Sequence, residues 1–477
     1  MSIDWSSGGL DFHLDLDPAA GRRHGLADAI RHAIRDGRLT AGTRLPSTRA
    51  LAVDLGLARG TVTQAFDELA IEGYLRIQRG AGAVAVGMPG QAQPPHAMPP
   101  PTQRPQPRWN LLPGRPDVTL FPRTTWLAAA RRALTDAASA DFGYGAPEGH
   151  PKLRKALADY LGRTRGVVAD PDAILVTAGY SQSLGLLARV LREFGEHTVA
   201  FESPSLPEFR AVMANAGGLR TVGIPVDGKG LRVEELARRR DLGAVVVTPA
   251  HQYPLGSTLD PARRAELVEF AHVTDTLIIE DDYDGEFRFD RQPIGALQAL
   301  APERVVYTGT ASKTLAPGLR IAWLVLPSRL VEPMRAAKRL ADRHTGVVES
   351  LTLAEFLAAG HYDQQVRRSR TRYRARRDRL LGALGQEGIT VWPDSAPAGL
   401  HIVLPLPAHS PPEEQVIAHL ARHSIAVERL GPSWLGDGNP QASGIVGGLV
   451  IGYAAPPEHA FAPTINALIT ALRLCWG

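Results

Sequence analysis

Apolar residues near the start of the chain recur at helical spacing, with Leu26, Ile30 and Ala33/Ile34 on one face. A short second helix is predicted after Ser47, whose hydroxyl suits an N-cap, and Gly56 ends it. A third helix runs from about Arg59, with Val62, Phe66 and Leu69 inward, and Gly73 stops it. The period then changes. Tyr74-Leu75-Arg76-Ile77, a turn at Arg79-Gly80-Ala81-Gly82, and Ala83-Val84-Ala85-Val86 read as strand, glycine turn, strand. Residues 18–88 therefore form a small α+β module.

Residues 89–108 are predicted to be an exposed linker. The stretch 88–108 holds eight prolines and almost nothing apolar, and polyproline geometry would let it span roughly 60 Å. Over 109–477, short β-branched runs alternate with helical patterns. Candidate strands are Ile174–Thr177, Thr198–Glu202, Ala244–Thr248, Thr276–Glu280 and Val305–Tyr307. That alternation predicts an α/β domain with a mostly parallel sheet and ligands at the carboxyl ends of its strands. After about 345 the pattern is helical and then mixed, as in a smaller α+β lobe.

A chain of 477 residues is too long for one ordinary core, which agrees with this division. Its one cysteine, Cys475, permits no internal disulfide and fits a reducing cytoplasm. The acidic start lacks the pattern of a signal peptide, and no run of about 18 apolar residues suggests a membrane span. The net charge of +4 is too small to identify a nucleic-acid binder, but residues 18–88 alone hold ten arginines against six acids. Such a surplus would assist phosphate contacts.

Four strand ends carry candidate chemistry. Lys313 follows the run Val305-Val306-Tyr307, with Thr310 and Ser312 before it and Arg320 after it. A pyridoxal-phosphate (PLP) site needs one lysine for a Schiff base, and hydroxyls with an arginine for the phosphate. A surface lysine at a helix start is the alternative. The run Thr276–Glu280 ends in Asp281, Asp282 and Tyr283. Asp281 can hold a pyridinium and Tyr283 a phenolate oxygen, although three acids could equally hold magnesium. Ile174–Thr177 leads through Ala178-Gly179 into Tyr180, Ser181 and Gln182, where a helix N-terminus can take an anion or be merely capped. His251, in Thr248-Pro249-Ala250-His251-Gln252-Tyr253-Pro254-Leu255-Gly256, is either a donor to the ring oxygen or structural. No metal site is expected.

Two resemblances follow from these residues. The segments Arg44-Leu45-Pro46-Ser47-Thr48-Arg49, Ala58-Arg59-Gly60-Thr61-Val62-Thr63 and Glu72-Gly73-Tyr74-Leu75 resemble the GntR-type winged helix-turn-helix. This implies double-stranded DNA as partner. Arg59, Thr61, Thr63 and Gln64 would lie on the first turn of the recognition helix, Arg44, Ser47 and Arg49 near the backbone, and Arg79-Gly80 at the wing tip. A three-helix protein-interaction module is the alternative. The four strand-end motifs, in their order, resemble the fold-type I PLP domain of aminotransferases. The wording His-Gln-Tyr-Pro-Leu-Gly, Glu-Asp-Asp-Tyr-Asp-Gly-Glu-Phe and Ser-Lys-Thr-Leu-Ala-Pro-Gly-Leu-Arg, fused to the reader, resembles the MocR/GabR branch of GntR regulators, including a PdxR-like branch. The segment Tyr144–Pro151 with Leu153-Arg154 resembles another stretch that the family holds near the site.

The resemblance implies a transcription regulator with PLP as cofactor, a small-molecule effector (PLP or an amine), and a cytoplasmic homodimer with exchanged domains. Lys313 would carry the Schiff base, Asp281 the pyridine nitrogen, and Tyr283 and His251 the ring oxygen. Tyr180, Ser181, Gln182, Thr310, Ser312 and Arg320 would surround the phosphate. Two departures are visible. Pro204-Ser205-Leu206 replaces a family Pro-Gly-Tyr, so an apolar contact over the ring is expected. In Gly448-Leu449-Val450-Ile451-Gly452-Tyr453, Val450 stands where relatives place a carboxylate-binding arginine, with Arg429 as a possible substitute. These departures favour sensing over turnover; a working aminotransferase with an accessory winged helix is the competing expectation. The basic run Arg367–Arg377 is either a solvated helix joining two lobes or a second DNA contact.

Overall fold

The computed structural model describes residues 21–78, 82–86, 107–239, 241–290, 294–393, 395–436 and 447–476, with short paired strands at Ser2–Ile3 and Leu14–Asp15. Most of the proline-rich linker, and the wing tip with Arg79 and Gly80, lie outside the described residues. The chain divides into two units, 1–105 and 106–477.

In the first unit, α1 (Arg22–Arg35), α2 (Thr48–Asp54) and α3 (Arg59–Ile71) precede an antiparallel pair, β1 (Leu75–Gln78) and β2 (Gly82–Ala85). The expected pattern is realised. Leu26, Ile30, Ala33, Val62, Phe66 and Leu69 close one core with Leu51 and Leu75. Ser47 caps α2, its hydroxyl accepting from Ala50 N at 3.1 Å. This is a winged helix-turn-helix.

The second unit is built on an eight-stranded sheet. Its elements in chain order are α4 (Arg123–Asp136), α5 (Pro151–Arg165), β3 (Ile174–Thr177), α6 (Tyr180–Glu193), β4 (Thr198–Ser203), α7 (Pro207–Gly217), β5 (Arg220–Asp227), β6 (Gly230–Leu231), β7 (Ala244–Val247), α8 (Pro261–Thr274), β8 (Leu277–Asp281), β9 (Val305–Thr310) and β10 (Ala322–Val325). The strand order is β3-β10-β9-β8-β7-β4-β5-β6. From β9 to β5 every pairing is parallel, whereas β10 runs antiparallel to both β9 and β3. Strands β3, β4, β7, β8 and β9 are buried on both faces, which is why they read as continuous apolar runs. Two apolar clusters flank this sheet, one with Leu184, Leu187 and Leu191 of α6 and one with Leu267 and Ala271 of α8.

Helices α9 (Ser328–Ala341), α10 (Val347–Ala358) and α11 (His361–Gln386) lead to the smaller lobe. There β11 (His401–Pro405), α12 (Glu413–Arg422), β12 (Glu428–Arg429), β13 (Gly448–Gly452) and α13 (Glu458–Trp476) form an α+β layer with strand order β11-β13-β12. The basic run lies on α11. Arg376 is buried within it, ion-paired to Asp117 at 2.8 Å and donating to Ala454 O at 2.8 Å. The run is therefore only partly a solvated face: one arginine anchors the helix, and Arg367, Arg368, Arg370 and Arg374 are exposed. Among the described residues, no helix is long and apolar enough to cross a membrane.

Candidate functional site

The reader shows two populations of arginine. Arg31 is ion-paired to Glu72, Arg23 lies 3.7 Å from Glu68, and Arg35 donates to the Tyr74 hydroxyl. Arg44, Arg49 and Arg59 are exposed, and their side chains have no ion pair among the described residues. Arg59 opens α3; Thr63 and Gln64 are exposed on the same first turns, and Thr61 is half-buried. The Thr63 hydroxyl donates to Arg59 O at 3.0 Å, whereas the Ser47 hydroxyl accepts from Ala50 N and keeps its own proton available. Arg76 of β1 is likewise exposed without an ion pair, so the described residues offer a polyanion chiefly four uncompensated guanidinium groups.

In the second unit the strand-end motifs converge on a cavity of about 630 Å³. Tyr180 and Ser181 enter it from the start of α6, Asp281 and Tyr283 from the end of β8, and Thr310, Ser312, Lys313 and Arg320 from the turn after β9. Leu206 lines it, at the position where an apolar contact was expected.

Alternation along β8 separates its acids. Glu280 accepts from Leu297 N and Gln298 N at 2.8 and 2.9 Å, and Asp282 is paired with Arg165 at 2.6 Å while accepting from Tyr307. Only Asp281 lines the cavity. The three acids face different partners, and no group fit to hold a metal occurs among the described residues. Burial pushes the Asp281 carboxyl up to about 8, against the Tyr180 hydroxyl and the charge of Lys313. The Lys313 ammonium is half-buried and held below the usual lysine range by desolvation; it donates to Gly114 O at 2.6 Å. Such a carboxylate lacks a strong cationic partner, and such a lysine is closer to the neutral, nucleophilic form.

Gly179, at φ 106°, precedes α6, and a Cβ there would meet the Arg320 guanidinium at 2.7 Å. The absence of a side chain thus lets Arg320 reach the helix N-terminus. Thr310 donates to the Ser312 hydroxyl at 2.9 Å beside it. N–H groups, two hydroxyls and an arginine together make an anion cradle. The residues present fit PLP: a lysine for the aldehyde, an under-paired buried carboxylate for the pyridine nitrogen, and this cradle for the phosphate.

Three expected contacts are placed differently. His251 does not line the cavity; its Nδ1 lies 2.9 Å from Asp284 and 3.1 Å from the Tyr283 hydroxyl, so Tyr283 stands between it and the opening. Gln182 accepts from Ala178 N and donates to Asp342, turned away from the cradle. The Tyr180 hydroxyl faces Asp281 and is buried with no well-formed hydrogen bond. Arg429 donates to Glu414 at 2.8 Å and does not line the cavity, so it is no substitute carboxylate clamp. Val450 is fully buried among Val226, Leu255, Val403 and Leu430. Tyr144 is 86% exposed and packs against His344 and Arg343, outside the cavity lining.

Comparison with known proteins fits both halves. The model for bacterial regulatory proteins of the gntR family matches residues 23–84, and that for aminotransferase class I and II matches 117–430. The HTH-type pyridoxine biosynthesis transcriptional regulator PdxR of Corynebacterium glutamicum is 34% identical over 452 residues, covering 94% of this chain and 95% of that one. The chain belongs to the MocR/GabR-type gntR regulators. The probable rhizopine catabolism regulatory protein MocR of Rhizobium meliloti is 32% identical, with 82% and 83% covered. The crystal structure of a kynurenine aminotransferase of Pyrococcus horikoshii, in complex with PMP, superposes with a TM-score of 0.67 at 25% identity, over 77% of this chain and 91% of that one. This MocR/GabR-type chain is thus a transcriptional regulator carrying an aminotransferase-like domain.

Sequence reasoning missed three charged residues of this regulator's cavity. Arg115 and Glu428 line it from distant parts of the chain, and Glu208 lines it from the start of α7. The turn Pro113-Gly114-Arg115-Pro116 was a legible signal for the first; the other two had none.

Proposed function

We propose that this regulator binds PLP through Lys313 and couples occupancy of the cavity by PLP or an amine to DNA binding. The observation that carries the reading is that a half-buried, desolvated Lys313 and a buried Asp281 without an ion pair line one cavity that also holds an anion cradle. When bound, PLP supplies an aldehyde that condenses with primary amines and a ring that withdraws electrons. Asp281 holds a proton at the ring nitrogen, and Tyr283, oriented by His251, bonds the ring oxygen. Ser181, Thr310, Ser312, Arg320 and the N–H groups at the start of α6 bind the phosphate. Arg44, Arg49 and Arg59 contact the DNA backbone or base edges, with Thr61, Thr63 and Gln64 beside them.

The domain serves sensing rather than turnover. Val450 offers no bidentate partner to a substrate carboxylate, and Arg429 is committed to Glu414. The active form is a cytoplasmic homodimer in which each reader packs on the partner's larger unit. Exposed Phe142 and Tyr144, 52% and 86% accessible, support a covered interface.

The test is spectroscopic. Protein loaded with PLP should absorb at about 420 nm, and Lys313→Ala should lose that band. An unchanged spectrum in the variant would overturn the reading, and sustained turnover with amino acids and a keto acid would favour the enzyme instead.

A further inference from the structure

The cavity wall opposite the cradle carries charge that the cofactor reading leaves unused. Asp281, Lys313 and Arg320 have roles toward PLP. The other charged residues of the lining are Arg115, Glu208 and Glu428. Neither glutamate has an ion pair among the described residues. Arg115 is exposed, and it makes no ion pair with either.

Glu428 sits on β12, directly opposite Val450 of β13 in the register. The smaller lobe therefore presents a half-buried carboxylate to the cavity, next to a strand with no cation of its own. Burial holds the Glu428 carboxyl above the usual range and the nearby Glu208 adds to this, while the Tyr253 hydroxyl and Arg115 act the other way. Tyr253, only 6% exposed, lines the same cavity, and its buried hydroxyl faces the Glu428 carboxylate without a well-formed hydrogen bond. A buried hydroxyl without a well-formed hydrogen bond is costly, and two carboxylates that lack a cation repel each other when close. One ligand group relieves both: a cation that carries N–H donors.

We propose that Glu428, with Glu208 and Tyr253, selects an effector whose far end is cationic, a diamine rather than an amino acid. The proposal rests on the PLP-sensing reading: one amine of the effector engages the cofactor held at Lys313, and the second lies against Glu428. A ligand ending in a carboxylate meets like charge at this wall. Arg115 offsets that only from an exposed position, where screening weakens it.

Three probes that share a four-carbon chain isolate the far-end charge: 1,4-diaminobutane, 1-aminobutane and 4-aminobutanoate. Each is titrated into PLP-loaded full-length protein, with binding read by calorimetry and by the change in the band at about 420 nm. The diamine should bind on the order of 10-fold more tightly than 1-aminobutane, the yield of one modest charge-assisted contact, and 4-aminobutanoate the most weakly. Glu428→Gln should abolish most of the diamine's advantage while leaving 1-aminobutane unchanged, and Glu208→Gln should reduce it less. Tighter binding of 4-aminobutanoate, or an advantage untouched in E428Q, overturns the proposal. A protein that forms no Lys313-dependent band fails earlier, at the PLP reading itself, so the two failures are separable.

Discussion

The two units leave charge uncompensated in opposite environments. In the reader, Arg44, Arg49 and Arg59 stand exposed without partners, whereas neighbouring Arg31 is paired with Glu72. In the larger unit, Asp281 is buried and Lys313 half-buried, and both are displaced in pKa. An exposed unpaired arginine costs little, because water solvates it, and its attraction to a polyanion is screened by salt. A buried unpaired carboxylate is held at the expense of stability, and the protein keeps it only where the surrounding fold over-determines it. The difference separates two kinds of ligand: a surface of phosphates for the first unit, and a small desolvated cofactor for the second.

Breaking a buried pair should show the largest effect. Asp282→Ala leaves Arg165 buried without its carboxylate, and unfolding should become easier by about 3–5 kcal/mol in denaturant titration. Arg59→Ala should sharpen the contrast: stability within about 0.5 kcal/mol of the parent, but DNA affinity weaker by about 1–3 kcal/mol if it reads a base. Arg49→Ala should weaken binding across sequences and lower the salt slope by about one. Ser47→Ala, which removes the cap of α2, should cost about 1 kcal/mol in thermal or denaturant melts. The pH dependence has a definite sign. The Asp281 carboxyl lies at about 8 in the fold, well above the usual aspartate value of 3.8, so the folded state holds a proton that the unfolded chain has released. Cofactor-free protein should therefore lose stability as pH rises from about 4 to 8. Asp281→Asn should remove part of that slope; Glu202 and Glu280, both raised to about 7 by burial, supply the rest.

What was legible in the sequence was local. Ser47, Gly56, Arg59 and Gly73 mark helix ends by their own chemistry, and each strand-end motif lies within a dozen residues of the strand that positions it. Lys313, Asp281, Ser181, Thr310, Ser312 and Arg320 meet in one cavity for that reason. Non-local features were not legible. Strand β10 returns antiparallel between β9 and β3, a pairing that apolar periodicity does not specify. Arg429 was a reasonable substitute clamp by position, but side chains alternate along a strand, and Glu428 takes the cavity side. His251 was assigned direct contact with a ring oxygen, although Tyr283 intervenes. Arg115 and Glu428 are more than 300 residues apart and share a wall only because of the tertiary fold.

The central claim, that cavity occupancy and DNA binding are coupled, is tested most directly by one titration. The affinity of full-length protein for DNA upstream of its own gene is measured by fluorescence anisotropy with and without PLP, for the parent and for Lys313→Ala. The account predicts that PLP shifts the parent's affinity and leaves that of K313A unchanged. Equal affinities for the parent in both conditions, or an identical shift in the variant, would contradict it.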